Sequence, residues 1–140
     1  MARKNKLVTD KQVLKRLIIN TLRGVKNLEI SFEGCPVTGI FGLNGSGKTT
    51  ILQTVMCLYR DKNSENTKMS RFFKYTTNAN KWIGSSYSAV MDYYQLSKRR
   101  IQITDRTINY SKHGSEWTPR QASKPDRNVI YISLSDSIPD

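Results

Sequence analysis

The sequence predicts an α/β fold. A glycine-rich strand–loop–helix unit sits at the centre of a short sheet, and an antiparallel β-subdomain lies beside it. Three observations carry this expectation. An apolar run, Val37 to Phe41, ends directly before three closely spaced glycines, Gly42, Gly45 and Gly47. Apolar residues at helical spacing follow between Lys48 and Tyr59. Segments on either side alternate polar and apolar residues with the period of half-buried strands.

Residues 1–14 read as a basic, flexible N-terminus, and residues 15–140 as one folded unit. Leu17–Leu22 and Leu28–Phe32 are strand candidates, and Gly24 between them marks a hairpin turn. Glu33 to Pro36 forms another turn. Val37–Phe41 has the unbroken apolar character of a buried parallel strand. From Lys48, Ile51, Leu52, Val55, Met56, Leu58 and Tyr59 share one broad helical face. A polar loop follows at 60–66, and 67–84 is ambiguous, with Met69, Phe72 and Phe73 suited to a short helix. Ser88–Tyr94 looks strand-like. Arg100–Thr104 alternates cleanly, with Thr107–Ser111 returning antiparallel to it. Residues 112–127 read as loop, and Val129–Ile132 as a last buried strand. The β-subdomain is thus expected from residues 15–35 and roughly 86–111.

Composition narrows the function classes. In 140 residues, 33 are Leu, Ile, Val or Phe, enough for a thin core. No apolar run approaches the roughly 18–20 residues of a membrane span. The basic start leads into no apolar stretch, so no secretory signal is expected. Cys35 and Cys57 make no disulfide framework and no metal set, and His113 is the single histidine. A cytoplasmic compartment is expected. Lys and Arg outnumber Asp and Glu by 23 to 11, for a net charge of +12. The surplus gathers in residues 1–27 and 98–127, and such fields attract polyanions, nucleic acid among them.

The chemistry lies in Gly42-Leu43-Asn44-Gly45-Ser46-Gly47-Lys48-Thr49, which matches G-x-x-x-x-G-K-[ST] at every fixed position. A triphosphate is a dense anion, and holding it needs many donors converging on a small volume. Main-chain N–H groups supply them when the chain curls tightly, and glycines permit the curl. The helix that follows aims its free N–H groups and positive dipole end at the same place. Lys48 extends to the outer phosphates, the Thr49 hydroxyl suits Mg²⁺, and Thr50 is placed to donate to an inner phosphate. The expected ligands are therefore a nucleoside triphosphate and Mg²⁺ on residues 42–50, in a P-loop NTPase.

The wider stretch, residues 22–32 followed by Gly39-Ile40-Phe41-Gly42-Leu43-Asn44-Gly45-Ser46-Gly47-Lys48-Thr49-Thr50-Ile51-Leu52, resembles the N-terminal lobe of ABC-type ATPases of the SMC and RecF kind. Trp82-Ile83-Gly84-Ser85-Ser86-Tyr87, with Trp117-Thr118-Pro119-Arg120 and Val129-Ile130-Tyr131-Ile132, looks like the SMC-like ATPases of bacterial anti-phage systems. The resemblance implies ATP binding, a second ATPase head as partner, DNA engagement and a nucleotide contact from the hairpin turn at Arg23. ABC-type heads also carry a Walker B strand ending in Asp-Glu and a Leu-Ser-x-Gly-type signature. Neither is present here, and no glutamine follows the 129–132 run. The chain therefore reads as the first lobe of a larger ATPase, one that hydrolyses poorly alone.

Two other readings compete. A P-loop kinase or GTPase fragment shares the loop, but Asn80-Lys81-Trp82-Ile83 lacks the aspartate of a guanine-reading Asn-Lys-x-Asp. A non-enzymatic nucleic-acid-binding module would use the loop on backbone phosphate. Arg23 and Lys26 also suit a solvated basic turn, His113 a surface position and Cys57 the core. Trp82, Tyr87, Tyr93, Tyr94 and Trp117 suit either base stacking or core packing.

Overall fold

The computed structural model describes residues 11–61, 67–73, 82–114, 116–119 and 124–132. The elements are β1 (Lys11–Leu22), β2 (Val25–Ser31), α1 (Lys48–Met56), α2 (Met69–Phe72), β3 (Ser86–Ser97), β4 (Arg100–His113) and β5 (Glu116–Thr118). The strands form one antiparallel sheet in the order β2-β1-β3-β4-β5.

The hairpin and the β-subdomain stand where alternation places them. Arg23 and Gly24 make the first turn, both at positive φ (45° and 80°). Residues 11–14, expected in the N-terminal tail, belong to β1, while residues 1–10 lie outside the described residues. Two irregularities in the β1–β3 register, at Leu14/Arg16 and Ile19/Thr21, shift the pleat. That shift lets Leu17, Ile19 and Leu22 all be fully buried although their spacing breaks strict alternation. On β3, Tyr87, Ala89, Met91 and Tyr93 face the core at period two. Helix α1 covers that face with Ile51, and the residues after it add Cys57, Leu58 and Tyr59. Tyr87 stacks on Tyr110 at 4.7 Å, and Phe73 meets Trp82 and Trp117 edge-on.

Four expectations need correction. Residues 100–111 are not a hairpin: β4 runs unbroken through Asp105 and Arg106 and pairs with β3 along its length. The Asp105–Arg106 pair reads as a turn, but Asp105 lies opposite Asp92, and Lys15 bridges both carboxylates at 3.1 and 3.8 Å. The turn is Lys98–Arg99 instead. The 112–127 loop contains the end of β4 and all of β5. Helix α1 ends at Met56, three residues early, capped by Cys57.

The fourth correction concerns the centre of the predicted sheet. Val37–Phe41 and Val129–Ile132 are not strands. A parallel strand exists through ladder bonds to neighbours on its flanks, and no described residue supplies them. Val37, Phe41, Ile130 and Ile132 are 75–94% exposed. The second segment is tied down at its root instead. Arg60 pairs with Asp126 at 2.6 Å, its N–H donates to the Pro125 carbonyl, and its carbonyl accepts from Arg127 N–H.

Candidate functional site

The loop at 42–47 connects the end of the irregular segment to α1, and its shape follows from its glycines. Gly45 and Gly47 hold φ of 79° and 95°, a region that side chains disfavour. Gly47 is doubly constrained: a Cβ there would lie 2.5 Å from Val25 Cγ2 on β2. The same residue is the N-cap of α1, and Ile51 N–H donates to its carbonyl at 3.0 Å. Ser46 N–H donates to Leu43 carbonyl at 3.1 Å, closing the curl. A Cβ on Gly42 would meet Ser46 Oγ at 2.7 Å. The hairpin, the loop and the helix start thus pack together through β2.

The nine-residue α1 has no acidic side chain in its first turn, so its N-terminal N–H groups and dipole face an anion without competition. The Lys48 ammonium donates to the carbonyls of Gly42 and Leu43, the latter at 3.0 Å. It spans the mouth of the loop. Leu43, Asn44, Gly45 and Ser46 are exposed, as is Thr49. Thr50 is buried, and its carbonyl accepts the Thr54 hydroxyl at 2.6 Å. All nine loop residues singled out in the sequence are therefore contiguous around one helix start, with Thr49 open to solvent.

Arg23 is placed differently. Its guanidinium donates to Gln53 Oε1 at 3.0 Å and to the Phe72 carbonyl at 2.6 Å. It also lies over the rings of Phe73 and Trp82, at 4.3 and 5.5 Å. Burial lowers its pKa from the ordinary value. This side chain ties the hairpin turn to α1 and α2. A long-range side-chain bond of this kind leaves no mark in local sequence.

A buried cation also escaped the sequence. Lys124, 7% exposed, donates to the Cys57 carbonyl just past α1. Burial pushes its pKa down to about 8 and the neighbouring Cys57 thiol up to about 12. His113 is exposed and Cys57 is core, as their settings implied. Tyr87 and Tyr93 are core, Trp82 and Trp117 are partly buried against it, and Tyr94 is half-buried on the other face with Lys11 over its ring. Asn80 and Lys81 lie outside the described residues. Among the described residues, no group of three or more His, Cys, Asp or Glu side chains converges on a metal site. No helix there is long and apolar enough to cross a membrane.

A glycine-curled loop leads into a helix with no acidic side chain in its first turn and follows a β-hairpin, an arrangement consistent with the P-loop NTPase class. The chain belongs to the AAA domain family, whose model matches residues 16–138. It is similar to the "DNA replication and repair protein RecF" of Rickettsia bellii, 37% identical over 57 residues, 41% of this chain and 16% of that protein. The protein of the same name from Rickettsia canadensis is 34% identical over 61 residues, 44% of this chain and 17% of its own length. The "Probable exonuclease subunit 2" of Escherichia phage T5 is 32% identical over 118 residues, 84% of this chain and 19% of that protein. The chain spans less than a fifth of each of these relatives. No solved structure matches it. These similarities and the loop identify an N-terminal region of the SMC/RecF-like ABC ATPase kind.

Proposed function

We propose that the chain binds ATP with Mg²⁺ through residues 42–50, as the N-terminal lobe of an SMC/RecF-like ATPase that works on DNA with a second ATPase head. The observation that carries this reading is the Gly47-capped start of α1, with Lys48 across the loop mouth and no carboxylate in the first turn. The loop N–H groups and the helix start hold the phosphates, and Lys48 exchanges its two carbonyl partners for phosphate oxygens. The donor set fits a magnesium ion that keeps most of its ligands as water and phosphate, because Thr49 offers one solvent-facing hydroxyl. When bound there, Mg²⁺ neutralises part of the phosphate charge.

The DNA partner rests on the net charge of +12 and on relatives named for replication, repair and exonuclease roles. The whole assembly's cycle requires a Walker B strand and a signature motif, which this sequence does not contain. Hydrolysis by this chain alone is accordingly slow, since its sequence carries no Walker B Asp-Glu to orient an attacking water.

The test is equilibrium titration with a fluorescent ATP analogue in Mg²⁺. Lys48→Ala should weaken binding roughly 10- to 100-fold, the scale of one lost charge-assisted contact. Its urea midpoint should stay at the wild-type value, because Lys48 bonds only loop carbonyls. Equal affinity in both proteins overturns the assignment.

A further inference from the structure

Among the described residues, β1 accompanies β3 as far as the Lys11–Tyr94 pair, and β5 accompanies β4 from Ser111 to His113. Beyond Tyr94, among the described residues, β3 and β4 continue as a two-stranded ribbon through the pairs Gln95–Gln102, Leu96–Ile101 and Ser97–Arg100. At about 3.3 Å per residue this ribbon runs roughly 10 Å beyond the Lys11–Tyr94 pair.

Its surface is unlike the rest of the sheet. Tyr94, Leu96, Ile101 and Ile103 share one face, since Tyr94 pairs with Ile103 and Leu96 with Ile101. Leu96, Ile101 and Ile103 are 64%, 70% and 56% exposed. Lys98, Arg99 and Arg100 cap the ribbon, all exposed, with no acidic partner among the described residues. Lys98 and Arg99 hold φ of 47° and 64°, which a two-residue hairpin turn normally fills with Asn-Gly. Two cations thus occupy positions where glycine or asparagine fits with less strain.

We infer that the β3–β4 ribbon tip enters a groove of duplex DNA, with Lys98, Arg99 and Arg100 on phosphates and the Leu96–Ile101 face against base edges. The inference rests on the DNA reading above and specifies which surface makes the contact. The dimensions agree: the major groove of B-DNA is about 12 Å wide and about 8.5 Å deep, and it admits a two-stranded ribbon. Charge complementarity selects a polyanion, and the protruding aliphatic side chains select one with apolar surface between its charges. Thymine methyl groups and base edges supply that surface. A negatively charged peptide is the competing occupant.

The test is fluorescence anisotropy with a 30-base-pair duplex across a salt series, on the full chain. Lys98→Ala/Arg99→Ala/Arg100→Ala should weaken binding at least tenfold near 150 mM salt. It should also reduce the slope of log affinity against log salt by about 2 to 3, one unit per phosphate contact. Leu96→Ser/Ile101→Ser should weaken binding severalfold with the slope unchanged. Wild-type affinity and slope in the charge variant would overturn the ribbon while leaving DNA binding standing. Failure of the wild type to bind duplex would overturn the DNA reading, and the ribbon with it. Competition by polyglutamate as effective as by duplex of equal charge would also overturn it, in favour of an acidic protein. Far-ultraviolet circular dichroism of each variant checks that the sheet persists, since none of the five side chains is buried.

Discussion

The antiparallel sheet and the segments that flank the phosphate loop are both rich in β-branched and aromatic residues, yet only the first forms strands. In the sheet, each strand meets its partner within the described chain, and hairpin turns at Arg23–Gly24 and Lys98–Arg99 set the register. Val37–Phe41 and Val129–Ile132 have equal or greater apolar content but no ladder partner. Apolar sequence makes a segment eligible for a strand; hydrogen-bonding neighbours make it one.

Four substitutions or conditions probe that contrast. The largest effect belongs to the sheet. Leu17→Ala, at a fully buried site, should lower unfolding free energy by about 2–5 kcal/mol in urea titration. A loss below about 1 kcal/mol would mean that the sheet is not the stable part of the molecule.

Next is the junction of the two regions. Gly47→Ala should cost about 2 kcal/mol or more, adding a Val25 clash to left-handed strain. Gly45→Ala has the strain but open space, and should cost about 1 kcal/mol. Val25→Ala should recover part of the Gly47→Ala loss and none of the Gly45→Ala loss. The double variants measured by thermal denaturation decide it.

A third effect depends on pH. Lys124 has its folded pKa pushed down to about 8, below its ordinary value of 10.5, so between those values the unfolded chain binds more protons. Stability should therefore rise by about 1 kcal/mol from pH 7.5 to 9. The Cys57 thiol works in the opposite sense from about pH 9, because burial keeps it protonated up to about 12. Tyr59, Tyr87, Tyr93 and Tyr110, all raised by burial, join it above pH 10. Urea midpoints should climb to pH 9, level off, and fall beyond 10. Lys124→Met should remove the climb.

The smallest effect lies in the flanking segments. Phe41→Ser and Ile130→Ser, at residues 94% and 86% exposed, should change stability by no more than about 0.5 kcal/mol. A loss above 1 kcal/mol in either would show that these outward residues pack as well as the inward Ile40 and Val129, and would weaken the contrast.

Local patterns made the loop, the first hairpin, the start of α1 and the middle of β3 legible in the sequence. The glycine spacing, the alternation at 28–32 and the 3.6-residue period after Lys48 each act over a few residues. What was misread depends on distant partners. Asp105 looks like turn punctuation until Lys15, 90 residues away, neutralises it inside a strand. The bonds that tie Arg23 to Gln53 and the Phe72 carbonyl cross 30 and 49 residues and leave no local mark. Lys124 looks like a loop cation until it lies under Cys57. The turn at the ribbon tip was missed because Lys98–Arg99 lacks the Asn-Gly signal of such turns.

The Lys48 ammonium, bonded to the carbonyls of Gly42 and Leu43, has a consequence for selectivity. On the proposed nucleotide reading, a ligand that takes up the ammonium replaces two carbonyl oxygens. Chloride or acetate brings one or two acceptors and a single charge. A chain of linked phosphates brings several of each, so the resting lysine would favour visitors of high charge density.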